Sequence, residues 1–163
     1  MLKNKYVILV FFGLAFIIIG TYREYFFILI NNIMTVKYYG RINRMPIPDW
    51  LQFLNTIDYA TLYYSKYPLT VLSFLIFYGL SYWCLKALTN DKNLLKWLTY
   101  SYLLLLLLST VSMLWAYFVK VRLQDDEYTF SRWLMGIAQS PLVVLFLLAA
   151  SKLLEKKTDQ KEL

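Results

Sequence analysis

The chain has 163 residues, 60% of them hydrophobic in type and 19% aromatic, with a net charge of +7. A soluble domain of this size is about 45–50% apolar; here the excess is gathered into long uncharged blocks, which argues against an ordinary water-soluble globule. With no His and a single Cys, Cys84, an intrachain disulfide is excluded, no cluster has metal-ligand spacing, and no cofactor is expected.

The first uncharged run is Tyr6–Tyr22, preceded by Lys3 and Lys5. As a helix this run rises about 25 Å. Apolar character resumes after Arg23 and Glu24 with Tyr25 to Ile30, so the first span is expected over about 6–30. A signal peptide also opens with basic residues and an apolar core. Tyr22-Arg23-Glu24-Tyr25, however, lacks the small residues of a cleavage site, and the segment reads as an uncleaved anchor. Charges near a bilayer interior are costly and are usually paired or functional. Either the span ends at Tyr22 and the charges reach the headgroups, or Arg23 and Glu24 make a membrane-edge contact to a partner or a lipid phosphate.

Residues 31–66 form the longest polar stretch and contain Pro46 and Pro48. Asp49 is placed to cap a short helix over 50–64. Trp50, Phe53, Leu54 and Ile57 would share one face of it. That pattern suits a helix lying in the headgroup layer, or equally a loop helix packed on the bundle.

The remaining runs lie between basic residues: Tyr67–Leu85 between Lys66 and Lys86, Trp97–Val119 between Lys96 and Lys120, and Trp133–Ser151 between Arg132 and Lys152. They predict spans over about 67–86, 97–119 and 133–151, each long enough for about 30 Å of hydrocarbon. Aromatics mark their ends (Tyr64, Tyr67, Trp83, Trp97, Tyr117 and Trp133), as expected at a membrane interface. The charged tail 152–163 is expected to fray. The expected fold is therefore all-α: an integral membrane four-helix bundle, one domain, with a short interfacial helix in its first loop.

Basic residues near apolar blocks favour retention at anionic lipids over nucleic-acid binding. Their distribution also bears on orientation. Lys3, Lys5, Lys86, Lys92, Lys96 and four tail lysines fall on one side; Arg23, Lys37, Arg41, Arg44, Lys66, Lys120, Arg122 and Arg132 fall on the other. The short loop with Lys86, Lys92 and Lys96 carries most weight and places both termini in the cytoplasm.

Catalytic chemistry is sparse. Serine hydrolysis wants a base, usually His, and the uncharged runs hold no carboxylate. Cys84 has only Lys86 nearby, two residues on and so on another helix face, and reads as a small apolar residue. The acidic cluster Asp125-Asp126-Glu127 reads as a solvated loop before it reads as a cation site. The fourth run is less ordinary. Pro141 removes a backbone hydrogen bond and clashes with the carbonyl of residue 137, which then needs a donor such as Gln139 or Ser140. Gly136, four residues before Ser140, offers a small face for close helix approach. Such a helix either packs or lines a transport site.

Two segments resemble a known family. Tyr22-Arg23-Glu24-Tyr25-Phe26-Phe27, and Arg132 through Leu142 with Gly136, Gln139, Ser140 and Pro141, are similar to small multi-span membrane proteins associated with bacterial exosortase systems; Leu69-Thr70 also fits. Exosortases process C-terminal sorting signals with Cys, Arg and His, so a chain without His does not look like the enzyme. The resemblance implies a non-catalytic accessory protein of the bacterial inner membrane, with membrane lipids and another integral membrane protein, an exosortase, as partners. The alternatives are a small transporter or flippase subunit using the kinked fourth helix, and a subunit that only stabilises a larger complex.

Overall fold

The computed structural model describes residues 2–40, 46–89, 91–119 and 129–159. Arg41, Arg44, Lys120, Arg122 and the cluster Asp125-Asp126-Glu127 lie outside them, as do the side chains of Tyr117 and of the tail beyond Leu153. Among the described residues every regular element is helical: α1 (Leu2–Tyr39), a 3₁₀ helix (Asp49–Asn55), α2 (Tyr59–Leu88), α3 (Lys92–Val119), α4 (Thr129–Ala138) and α5 (Leu142–Asp159).

Three helices, α1, α2 and α3, are long and apolar enough to cross a membrane, and α4 with α5 makes a fourth crossing if that bent pair is one span. The chain is thus an all-helical membrane protein. The fourth run, expected to be kinked at Gln139-Ser140-Pro141, is two helices meeting at 62° at that break. α5 continues through Lys152 to Asp159, so the start of the charged tail is helical where fraying was expected.

The C-terminal end of α1 and the start of α2 fall well outside the uncharged runs. α1 passes through Arg23, Glu24, Asn31, Asn32 and Lys37 and stops at Gly40, whose φ of 62° is the left-handed conformation that ends helices. Its 38 residues extend about 57 Å, more than about 30 Å of hydrocarbon can cover even with a tilt of about 40°. Part of α1 therefore lies outside the hydrocarbon. α2 starts at Tyr59 because Asp58 caps it: the Thr61 N–H donates to the Asp58 carboxylate at 3.1 Å, and the Leu62 N–H donates to the Asp58 carbonyl at 3.1 Å. Asp91 does the same for α3, accepting from the Asn93 N–H at 2.8 Å.

The chain divides into two compact units, residues 17–73 and residues 1–16 with 74–163. In the first, Leu29, Ile30, Ile33 and Met34 of α1 are buried with Leu51 and Leu54 of the 3₁₀ helix and Leu62 of α2. The expected α-helix over 50–64 is absent. Pro48 enters extended (φ −58°, ψ 147°), and a seven-residue 3₁₀ helix follows. At three residues per turn, Leu51 and Leu54 stand on one face, while Trp50 and Phe53 are 70% and 56% exposed. The anticipated face of Trp50, Phe53, Leu54 and Ile57 assumed a period of 3.6 and is corrected. Asp49 is not the cap either; its carboxylate accepts from Gln52 Nε2 at 2.9 Å. The 3₁₀ helix ends where the Thr56 N–H and hydroxyl both donate to the Phe53 carbonyl, at 3.1 and 2.7 Å.

In the second unit, Phe74, Leu85, Leu98, Tyr102, Ala138, Val143 and Val144 form the main core with Cys84, and Phe16 packs on Phe77 with ring centroids 5.8 Å apart. Hydroxyls tie its helices together. The Ser81 and Tyr102 hydroxyls lie 2.6 Å apart, those of Tyr78 and Thr99 3.0 Å, and those of Ser109 and Ser131 2.7 Å. These pairs join α2 to α3 and α3 to α4.

Candidate functional site

α4 has ten residues and a rise of about 15 Å, half of what a crossing needs. Its sequence sorts its faces. Ser131, Leu134 and Ala138, spaced by three and four, are buried, with the Ser109–Ser131 pair anchoring them to α3. Phe130, Arg132, Trp133 and Gly136 are exposed. A methyl group built on Gly136 would meet nothing within 4 Å. Among the described residues the close approach anticipated between Gly136 and a neighbouring helix is thus not made.

The helix breaks at Gln139-Ser140-Pro141. Pro141 has no N–H to give the Ile137 carbonyl, and its ring crowds that carbonyl. Ser140 compensates on both sides. Its hydroxyl and its N–H donate to the Ile137 carbonyl at 2.7 and 3.2 Å, and its hydroxyl oxygen accepts from the Leu142 N–H at 3.3 Å. Of the two donors anticipated for that carbonyl, Ser140 donates to it. Gln139 is buried, 7% exposed, and its N–H donates to the Met135 carbonyl at 2.9 Å. Pro141 restarts the ladder, its carbonyl accepting from the Leu145 N–H at 3.0 Å. The break is therefore hydrogen-bonded, and it sets a buried amide beside a short helix with an open outer face.

Arg23 and Glu24 belong to the other unit, residues 17–73. They lie inside α1, whose helix continues past Tyr22 to Tyr39. Glu24 is exposed and Arg23 half-buried. The Arg23 guanidinium carbon lies 5.0 Å from the Phe27 ring centroid, a cation–π contact one turn on. Among the described residues the buried Nε of Arg23 has no hydrogen-bond partner. Arg132, Gly136, Gln139, Ser140 and Pro141 are contiguous in the second unit, so the anticipated site residues form two separate features.

Sequence reasoning missed Lys37 and the hydroxyl pairs. Lys37, in the last turn of α1, gives its ammonium to the carbonyls of Asn55, at 2.8 Å, and Ile57, holding the end of the 3₁₀ helix. A lysine after a polar stretch carried no sign of that role. Ser81, Tyr102 and Ser109 sit in apolar runs, where a hydroxyl barely changes hydropathy. Among the described residues no group of three or more His, Cys, Asp or Glu is placed to hold a metal ion.

No family model matches the chain, and neither the curated proteins nor the solved structures compared with it provide a match.

Proposed function

We propose that the chain is a non-catalytic accessory protein of a membrane complex, acting through helix contacts with an integral membrane partner, and that the complex is of the exosortase sorting type. The observation that carries the contact is the outer face of α4: Arg132, Trp133 and Gly136 stand exposed, and nothing among the described residues fills the space at Gly136. A glycine lets a partner backbone approach closely in lipid, and Arg with Trp supplies anchoring at the interface. The resemblance of the segments at 22–27 and 132–142 supports the exosortase assignment. In this reading the protein resides in the bacterial inner membrane with both termini cytoplasmic, which requires α4 and α5 to cross as one broken span.

Affinity purification from native membranes in mild detergent tests the reading. A sorting enzyme should co-purify with the wild type and be lost with Arg132→Ala/Gly136→Leu, while helicity is kept. Recovery of no sorting enzyme, with normal sorting in a deletion strain, would sink it. The buried Gln139 at the 62° bend favours a second reading, a transporter or flippase subunit. Flux of candidate lipids or solutes unchanged by Gln139→Leu/Pro141→Ala would leave that reading without support.

A further inference from the structure

α1 buries Leu29, Ile30, Ile33 and Met34 and leaves another face open, on which Ile17, Thr21, Glu24, Ile28, Asn31 and Tyr38 are exposed. Their steps of four, three, four, three and seven residues keep a period of 3.5, the spacing of a seam that meets a neighbouring helix. The non-aromatic polar side chains exposed between 17 and 31 all fall on this stripe. The Thr21 hydroxyl already donates to the Ile17 carbonyl at 2.8 Å. Among the described residues no hydrogen bond or salt bridge takes up the Glu24 carboxylate or the Asn31 amide. Arg23 is the electrostatic neighbour of Glu24, but successive residues point to different faces of a helix, and the Arg23 guanidinium lies over the Phe27 ring. Glu24 is also deep. The Tyr38 and Tyr59 rings pack at 5.4 Å, which sets the end of α1 level with the start of α2, and further along Leu29 to Met34 pack with Leu62 and Leu69. Lys66, the edge of the uncharged run of α2, lies seven residues from that level, a rise of about 10 Å, and Glu24 lies fourteen residues from it, about 21 Å. Glu24 therefore stands about 10 Å to the hydrocarbon side of Lys66, with Asn31 level with Lys66.

We propose that this stripe of α1 docks a membrane-spanning helix of another protein, one that carries a lysine or arginine level with Glu24. The chemistry selects that occupant. Acyl chains offer a carboxylate neither charge nor hydrogen bond, and a charge at hydrocarbon depth is costly unless it is paired. A lipid phosphate carries the same sign as Glu24. A second copy of the chain, inserted the same way, would pair in parallel, and a seam residue then meets its own counterpart, Glu24 against Glu24. A basic side chain on a different helix supplies the missing charge. Asn31, one heptad nearer the headgroups, adds an amide that hydrogen-bonds across the contact and fixes its register. The inference needs α1 to cross the membrane; it depends neither on the α4 contact nor on the sorting assignment.

Photo-crosslinking in native membranes tests it, with benzoylphenylalanine at Ile28 of the full chain. The crosslinked peptide, sequenced by mass spectrometry, should come from a membrane-spanning segment of another protein and contain Lys or Arg. Glu24→Leu should lower its yield about tenfold, the loss of one charge-assisted hydrogen bond, while Ile18→Ala, exposed beside the stripe, should leave it unchanged. Glu24→Lys, combined with a change of that basic residue to Glu, should restore it. Crosslinks to lipid alone, to a second copy of this chain or to a segment without a basic residue would overturn the proposal. So would an unchanged yield in Glu24→Leu with wild-type helicity by circular dichroism.

Discussion

In residues 17–73, seven apolar side chains close on one another, and Lys37 and Asp58 pin the connections with hydrogen bonds to backbone. In residues 1–16 and 74–163 an apolar core is accompanied by pairs of side-chain hydroxyls that bridge one helix to the next. The contrast follows from solvent. Burial of Leu and Ile drives association only where water is the alternative. Between helices in lipid that drive is absent, and close packing with polar bridges takes over. The first region therefore carries the features of a segment that meets water or headgroups, which agrees with α1 being too long for the hydrocarbon. The second carries those of helices joined within the bilayer.

The comparison can be broken by substitutions placed in one region and read in both by hydrogen exchange. The largest effect is expected for Leu54→Ala, which empties a buried site. It should lower the opening free energy of 29–34 by about 2–5 kcal/mol and leave the α3 amides around 98–110 unchanged. Equal loss in both regions would show one cooperative unit instead of two.

Pro141→Ala comes next. It restores an N–H to the Ile137 carbonyl and removes the ring clash, recovering part of the ~3 kcal/mol that proline costs a helix interior. Spin labels at Phe130 and Leu153 should move apart as the 62° bend opens. Tyr102→Phe deletes the hydroxyl that meets Ser81. It should destabilise the α2–α3 contact by about 1 kcal/mol, with no change in residues 17–73.

The smallest effect is at Asp58. Its hydrogen bonds from Thr61 hold its carboxyl below the usual carboxylate range. A lowered value means that its contribution is fully present above the ordinary carboxylate pKa and is lost as pH falls through the lower folded value. Exchange of the Thr61 and Leu62 amides should rise only below about pH 4, and in Asp58→Ala it should already be raised at neutral pH.

How much of this was legible in the sequence depended on which physics wrote each feature. Uncharged runs locate lipid crossings, so α3 and the break at Gln139-Ser140-Pro141 were readable. The break follows from proline chemistry that needs no tertiary context; that chemistry left Gln139 and Ser140 both open as donors, and the fold shows Ser140 bonding the Ile137 carbonyl. Helix ends were not readable from hydropathy. α1 continues over Asn31–Tyr39, and α2 begins at Tyr59, because tyrosines and polar residues are acceptable in a helix that leaves the hydrocarbon. Leu51 and Leu54, not Trp50 and Phe53, form the buried pair of the 3₁₀ helix, since a period of 3.0 replaced one of 3.6. Of the candidate site residues, the sequence singled out Arg23 as an unusual charge. Its contact with the Phe27 ring, one turn on in the same helix, needed the fold to show that α1 continues past it.

The proposed topology requires α4 and α5 to cross the membrane as a single broken span. Paired reporter fusions, active on one side of the membrane only, at the N-terminus and after Leu163 measure this directly. Both termini are expected on the cytoplasmic side. A C-terminus on the side opposite to the N-terminus would contradict it, leaving three crossings with α4 and α5 outside the span count.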